Sequence, residues 1–571
     1  MLTDTKTVCA TLALIFGLGV SVLPAEAAEA VPVKDINPSG GSDPVELRNV
    51  DGTLFFTAGN GVNGKEFWRS DGTEAGTIMV KDINPGFPGS YPRPVTTPGE
   101  ALLFSANDGV NGFEIWKSDG TGGGTALLKN VNPGAAGSDP GDLTIVNGTL
   151  FFKAYVNSIG HELWKSDGTG AGTVLVKDIN PGMTDSSPLE LVNLNGALLF
   201  RSNDGTHGRE LWKSDGTEAG TALVKDINPG SAASYPTYLT HVNGVLFFRA
   251  DDGTNGSELW KSDGTAAGTV LVKDINSFGN SFAAELTDVN GTLFFVANDG
   301  TNGIELWKSD GTVAGTVLVK DINPSGSSPP EQLTNVNGTL FFAIFDDLWK
   351  SDGTEAGTVL VKDFDSSSTY PLELRFLTKV NGTLFFAAND SVHGSEVWLS
   401  DGTEAGTVLA ADVNPGDAFS FSWPSDLTDV SGMLFFQADD GMNGVELWSI
   451  GPSVPGVVPA GYVVPGTPLE LIKGAGSDIT LTWSNSSCSV GTTDYGVYEG
   501  ALGSFASHAP RVCSTGGANT WTLTPDSESS YYLVVPVYDG MEGSYGYRGD
   551  GSERPQGTTA CEVQALGNSC Y

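Results

Sequence analysis

The sequence predicts an all-β molecule: a closed β-propeller of four-stranded blades, nominally nine with eight as the alternative, followed by a small β-sandwich. Three observations point there. A motif close to "ELWKSDGT" (210–217) recurs, with its Trp at 68, 116, 164, 212, 260, 307, 349, 398 and 448. Each unit, usually 48 residues long, holds four short runs rich in β-branched and aromatic residues, separated by Gly, Asn and Asp. The array also begins with a spare strand and ends one strand short.

Residues 1–27 read as an export signal, with Lys6 before the apolar run "VCATLALIFGLGVSVLP" and small residues at 25–27. No other stretch reaches the roughly 20 apolar residues that span a bilayer. The array opens at "VPVKDINP" (31–38), an orphan copy of the "VLVKDI" strand. Within a unit the strands are "VLVKDI", "LTxV", "TLFFxA" and "ELWKS". The "NG" of "VNGT" is a two-residue hairpin signal, because both positions need positive φ. "LFF" is apolar on both faces, as a middle strand between two neighbouring blades must be. The Trp of each unit fills the widening space between adjacent sheets. At the far end "VELWSIGP" (445–452) stops with no "SDGT" and no following strand. Joining the two ends completes the last blade and removes both exposed edges. The seventh unit, "LFFAIFDDLWKSDGT", has lost its "NDGTNG" loop and reads as a degenerate blade.

These units resemble the bacterial ELWxxDGT repeat family. The matching stretches are "EFWRSDGT" (66–73), "EIWKSDGT" (114–121), "ELWKSDGT" (162–169, 210–217, 258–265, 305–312), "DLWKSDGT" (347–354) and "EVWLSDGT" (396–403). The resemblance covers roughly 31–450 and implies an exported or surface protein with a propeller fold. It carries over no catalytic residue.

A Pro/Gly linker (451–468) separates the array from residues 469–571, where "DITLTWS", "DYGVYEG", "TWTLTP" and "SYYLVVPVYDG" have strand rhythm. This segment is loosely similar to fibronectin type III modules. It holds Cys488, Cys513, Cys561 and Cys570, an even set that argues for two disulfides in an exported domain. Order along the chain favours 488–513 and 561–570 among three pairings, with zinc ligation the rival.

The chain has 571 residues, with 29 Lys+Arg against 68 Asp+Glu, a formal charge of −39. Such a charge repels nucleic acid and anionic lipid. No Gly-x-Ser-x-Gly, His-Glu-x-x-His or phosphate loop is present. The five His (161, 207, 241, 393, 508) are scattered. A functional site should therefore appear as a departure from the repeat. The residue after "LFF" is a cation in three consecutive units, Lys153, Arg201 and Arg249. This basic arc is a candidate for an anionic ligand such as an acidic sugar, or else is paired with nearby carboxylates. The middle residue of the Ser-x-Pro loop is aromatic at Tyr91, Tyr235, Phe282, Tyr370 and Trp423. These loops emerge on one face, either to anchor a sugar or a protein or to pack on the blade beneath. The "NDGTNGxE" runs, such as Asp252, Asn255 and Glu258, offer oxygens suited to calcium, although turn chemistry also explains them. No other cofactor is implied. The sequence reading is thus an exported, non-enzymatic binding or adhesion scaffold that recognises a glycan or protein partner through its loops. The alternatives are a polysaccharide-acting enzyme with its site in the central funnel and a calcium-stabilised structural component of the envelope.

Overall fold

The computed structural model describes residues 30–451 except 96–101, 365–373, 391 and 417–419, together with the backbone of eight strands between 470 and 564. The 1–27 segment, the linker, Tyr370 and all the cysteines lie outside the described residues. The chain divides into two compact units, Met1–Pro452 and Ser453–Tyr571. In the second, the described strands form a three-stranded and a five-stranded sheet.

The first unit contains nine four-stranded antiparallel sheets among the described residues, one per repeat. Each blade runs in the order anticipated. In blade 4 the strands are Leu189–Leu194, Ala197–Asn203, Arg209–Ser214 and Ala222–Lys225. First strands of successive blades pack on one another from blade 3 round to blade 9 and on to blades 1 and 2, so they surround the centre. The "NG" turn has the expected geometry, with φ of 51° at Asn147 and 77° at Gly148. The middle strand is buried on both faces: Leu54 and Phe56 have no exposed surface and Phe55 is 7% exposed. Trp68 of blade 1 packs with Val430, Phe435 and Leu447 of blade 9, filling the wedge between sheets as expected.

The seventh unit is not degenerate, and the nominal count of nine holds. It is a complete blade of four strands, Glu331–Val336, Thr339–Ile344, Asp347–Ser351 and Val359–Lys362. Its missing loop is replaced by a tight turn in which Phe345 takes a φ of 56°. Losing a hairpin loop costs a blade nothing structurally, because the strands and their core residues remain. The count is therefore nine.

Closure occurs where the two ends predicted it. Ala30–Lys34 pairs antiparallel with Val445–Ile450, with Ala30 opposite Ile450, Val31 opposite Ser449 and Pro32 opposite Trp448. Several belts of hydrogen bonds then run around the ring. In six blades, among the described residues, the Thr of "LTxV" donates to a Leu carbonyl of the next first strand, as in Thr144 to Leu191 at 2.9 Å. At the seam Thr428 reaches Leu47 at 3.4 Å. Near the periphery, Lys165 and Lys177 of blade 3 donate to the carbonyls of Gly216 (2.8 Å) and Thr221 (2.7 Å) in the "SDGTEAGT" loop of blade 4. That loop is pre-organised: Asp215 Oδ1 accepts from the N–H (2.8 Å) and hydroxyl (2.7 Å) of Thr217, and Ser214 and Thr221 share a hydroxyl contact at 2.7 Å. The repeated "KSDGT" is thus a socket for the lysines of the preceding blade. At the seam, Lys34 fills the socket of blade 1 through Thr77 at 2.9 Å.

Because Val31 and Ser449 face each other across the seam, a Val31→Cys, Ser449→Cys pair should form a cross-link that restricts the unfolded chain. The expected gain is about 4 kcal/mol. It would appear as a higher melting temperature than the parent's, lost on adding reductant. An unchanged melting temperature in the cross-linked protein would contradict this closure.

Candidate functional site

The Glu of "ELW" lies two residues before the Trp on the third strand and has essentially no exposed surface in the eight blades that carry it. Glu210 Oε2 accepts from the Ile227 N–H (2.9 Å) and Ser234 Oγ (2.6 Å), and Oε1 accepts from the Ser234 N–H (2.8 Å). Ile227 stands two residues past the end of the outer strand, and Ser234 is the Ser of Ser-x-Pro. One carboxylate thus clamps both ends of the connection leading to the next blade. Glu446 does the same across the seam, holding Ile36 and Ser42. Burial pushes these carboxyls up against the opposing pull of the Ser and backbone donors, to about 6 for Glu66 and about 7 for Glu162, Glu210 and Glu396. In blade 7 Asp347 takes the place of Glu, and burial together with Asp363 and Asp346 raises it to about 6.

Connections between blades and the hairpins joining second to third strands share one face of the ring, since all strands in a blade are antiparallel. The basic arc and the Ser-x-Pro loops therefore share that face. They also touch: Arg201 Nη1 donates to the Pro236 carbonyl at 3.3 Å, as Thr57 Oγ1 does to Pro92 at 2.6 Å. Each junction thus gathers the residue after "LFF", the residue before the clamp Glu, the middle residue of Ser-x-Pro, and the second residue of the next first strand. The backbone ties the second and third of these together, as in Tyr235 N–H to the Arg209 carbonyl at 3.1 Å. The third and fourth sit in left-handed backbone, with φ of 49° at Tyr235 and 58° at Tyr238. For side chains other than Gly this costs on the order of 1 kcal/mol each.

At the junction of blades 4 and 5 these positions are Arg201, Arg209, Tyr235 and Tyr238. Arg209 lies over the Tyr235 ring, 5.9 Å from its centroid, and Arg249 of blade 5 lies 4.9 Å from that of Tyr238. Arg201 is part-buried and its Nε has no hydrogen-bond partner. Burial holds its guanidinium below the ordinary value; Glu190 works against that effect and Arg209 adds to it. Among the described residues, none of the three arginines has a carboxylate oxygen within 4.0 Å. Tyr235 and Tyr238 are 53% and 39% exposed.

The other residues singled out in the sequence are placed as follows. Lys153 is ion-paired with Asp142 at 3.1 Å. Tyr91, Phe282 and Trp423 stand half-exposed on the same face, and Trp423 leans on Phe421 with centroids 5.0 Å apart. Tyr370 and the four C-terminal cysteines, Cys488, Cys513, Cys561 and Cys570, lie outside the described residues. In the "NDGTNG" hairpins the carboxylate is occupied by its own turn, as where Asp252 accepts from Thr254 and Asn255. Among the described residues no group of three or more His, Cys, Asp or Glu is arranged to hold a metal ion. Arg209 and Tyr238 escaped the sequence reading. Their signal was there, since both positions vary between units while their neighbours repeat.

No family model matches the chain, and no curated protein does. The likeness to ELWxxDGT repeats therefore rests on the motif. Among solved structures the chain is similar to puromycin hydrolase, at 14% identity and a TM-score of 0.33, over 62% of this chain and 60% of that one. It is similar to a prolyl endopeptidase at 12% identity and a TM-score of 0.37, over 63% of this chain and 56% of that one. It is also similar to the β-propeller domain of the Trilobed protease from Pyrococcus furiosus, at 10% identity and a TM-score of 0.30, over 57% of this chain and 98% of that one. The chain spans about 60% of the length of puromycin hydrolase. These are enzymes or parts of enzymes, so the ring architecture does not mark a non-enzymatic adhesion scaffold. That expectation is withdrawn.

The clamps predict an unusual pH dependence. Their folded pKa lies above the ordinary 4.5, so their stabilising contribution is complete below that value and lost as pH rises through about 7. The "SDGT" carboxylates such as Asp215 are held below 3.8 by Thr217, so they act oppositely and stabilise only above it. The melting temperature should therefore peak near pH 5 and fall towards both pH 3 and pH 8. A plateau from pH 5 to 8 in scanning calorimetry would contradict the clamp assignment.

Proposed function

We propose that the blade 4–5 junction is a recognition site for a carboxylate-bearing ligand, with Arg201 as the principal contact. One observation carries this reading: three arginines without a carboxylate partner converge beside two exposed tyrosines, in a chain whose formal charge is −39. A guanidinium with no carboxylate oxygen within 4.0 Å in so acidic a molecule is a standing donor set for one, and its planar fork matches a carboxylate. The half-exposed rings of Tyr235 and Tyr238 add flat apolar surface beside the charge. Lys153, already paired with Asp142, contributes little. Support for the reading lies in charge, burial and geometry at this junction and not in the architecture it shares with other proteins.

N-acetylphenylalanine carries one carboxylate and one ring, and its amide differs only in lacking the charge. In titration calorimetry the acid should bind at least about tenfold more tightly than the amide, the scale of a charge-assisted hydrogen bond. Arg201→Met should remove that difference, while Lys153→Met should leave it. Equal binding of acid and amide, or no binding by the parent protein, would overturn the reading.

A further inference from the structure

Glu210 sits between the two halves of this site. Arg209 immediately precedes it on the third strand, and Tyr235 immediately follows Ser234, whose hydroxyl and N–H both bind the Glu210 carboxylate. The Arg209 carbonyl in turn receives the N–H groups of Ser234 and Tyr235, each at 3.1 Å. An arginine and a tyrosine of the site are thus carried on the two arms of one buried clamp. Charge on Glu210 and charge on a ligand beside Arg209 must therefore be felt by each other.

Resting on the reading above, we infer that ligand binding at the blade 4–5 junction is coupled to proton uptake by Glu210, so that the site tightens as the medium is acidified. An anion arriving at the arginines disfavours a second negative charge in the clamp. The ligand carboxylate stays ionised, and Glu210 takes a proton from solvent. Burial already holds this carboxyl near neutrality, at about 7, so the change falls within an ordinary pH range. By linkage the effect is reciprocal.

Charged and titratable groups lie on the elements that carry and clamp Glu210. On its own strand there is Arg209; on the preceding hairpin, His207 and Asp204; just past the outer strand, Asp226. The connection contributes the neutral Ser234 and Tyr235. His207 Nδ1–H donates to Asp204 Oδ2 at 2.8 Å, and that hydrogen bond raises the His207 pKa. Among these groups His207, whose charge interacts with Glu210, is the neighbour whose titration could mimic the effect. Other units carry Asn at its position, as at Asn255, so His207→Asn is a benign control.

The experiment is titration of the full chain with N-acetylphenylalanine at pH 6 and pH 8, in two buffers of different ionisation enthalpy to count protons. The parent should bind on the order of fivefold more tightly at pH 6, with net proton uptake near pH 7. Glu210→Gln should abolish both effects, whereas His207→Asn and Glu305→Gln, the same clamp at a junction without arginines, should retain them. If Glu210→Gln fails to fold, Ser234→Ala serves instead. It removes one donor that holds the carboxyl down, so the midpoint of the pH profile should move upward. Binding that is equally tight at both pH values, or a dependence that His207→Asn abolishes, overturns this inference and leaves the site standing. Absence of binding at either pH overturns both.

Discussion

The structure depends on a buried carboxylate with three donors. In eight blades the Glu of the repeat is sealed from solvent and holds the chain as it leaves one sheet and enters the next. A connection of some ten residues with several left-handed positions has no regular structure to satisfy its backbone. The clamp supplies the missing acceptors and over-determines the strained conformations, as such conformations require. Everything displayed on that face of the ring rests on these connections.

The division of labour between repeated and variable residues follows from this. Repeated residues act across blades: Thr on the neighbouring first strand, Lys on the next socket, Trp in the wedge, Glu on the connection. A residue with such a task repeats in most blades, and the exceptions, such as Asp347 for Glu in blade 7 and Val192 for Thr in blade 4, fall in blades whose four strands are intact. Variable residues lie where a side chain leaves the ring surface with no such task, and there the chemistry differs from junction to junction. The blade 4–5 junction is distinguished by arginines with no carboxylate oxygen within 4.0 Å, whereas the comparable cation of blade 3 is ion-paired with Asp142.

Much of the fold was legible in the sequence because it is written in local periodicity and turn chemistry. The strand order, the Asn-Gly hairpins and the offset ends at Val31 and Ile450 all follow from short-range rules. Two things were not. A Glu on an alternating strand reads as a solvent-facing residue, and nothing local reveals that a connection 24 residues further on folds back over it, as Ser234 does on Glu210. The seventh unit reads as degenerate because its loop is lost, although its core residues Leu340, Phe342 and Leu348 are all in place and the nominal count of nine holds. Arg201 and Arg249 were visible as departures from the repeat. That one of them packs against Tyr238 of its own blade and the other against the carbonyl of Pro236 needed coordinates.

The separation between clamp and display has a consequence for descent. A ring made by copying one unit begins with nine identical edges of contact. Because the holding residues and the displayed residues occupy different positions, any single junction can drift to a new chemistry while the circle stays shut. Such a molecule can acquire, lose or relocate a recognition function by a few exchanges at one sector. Relatives with the same ring should then differ most in which sector carries charge.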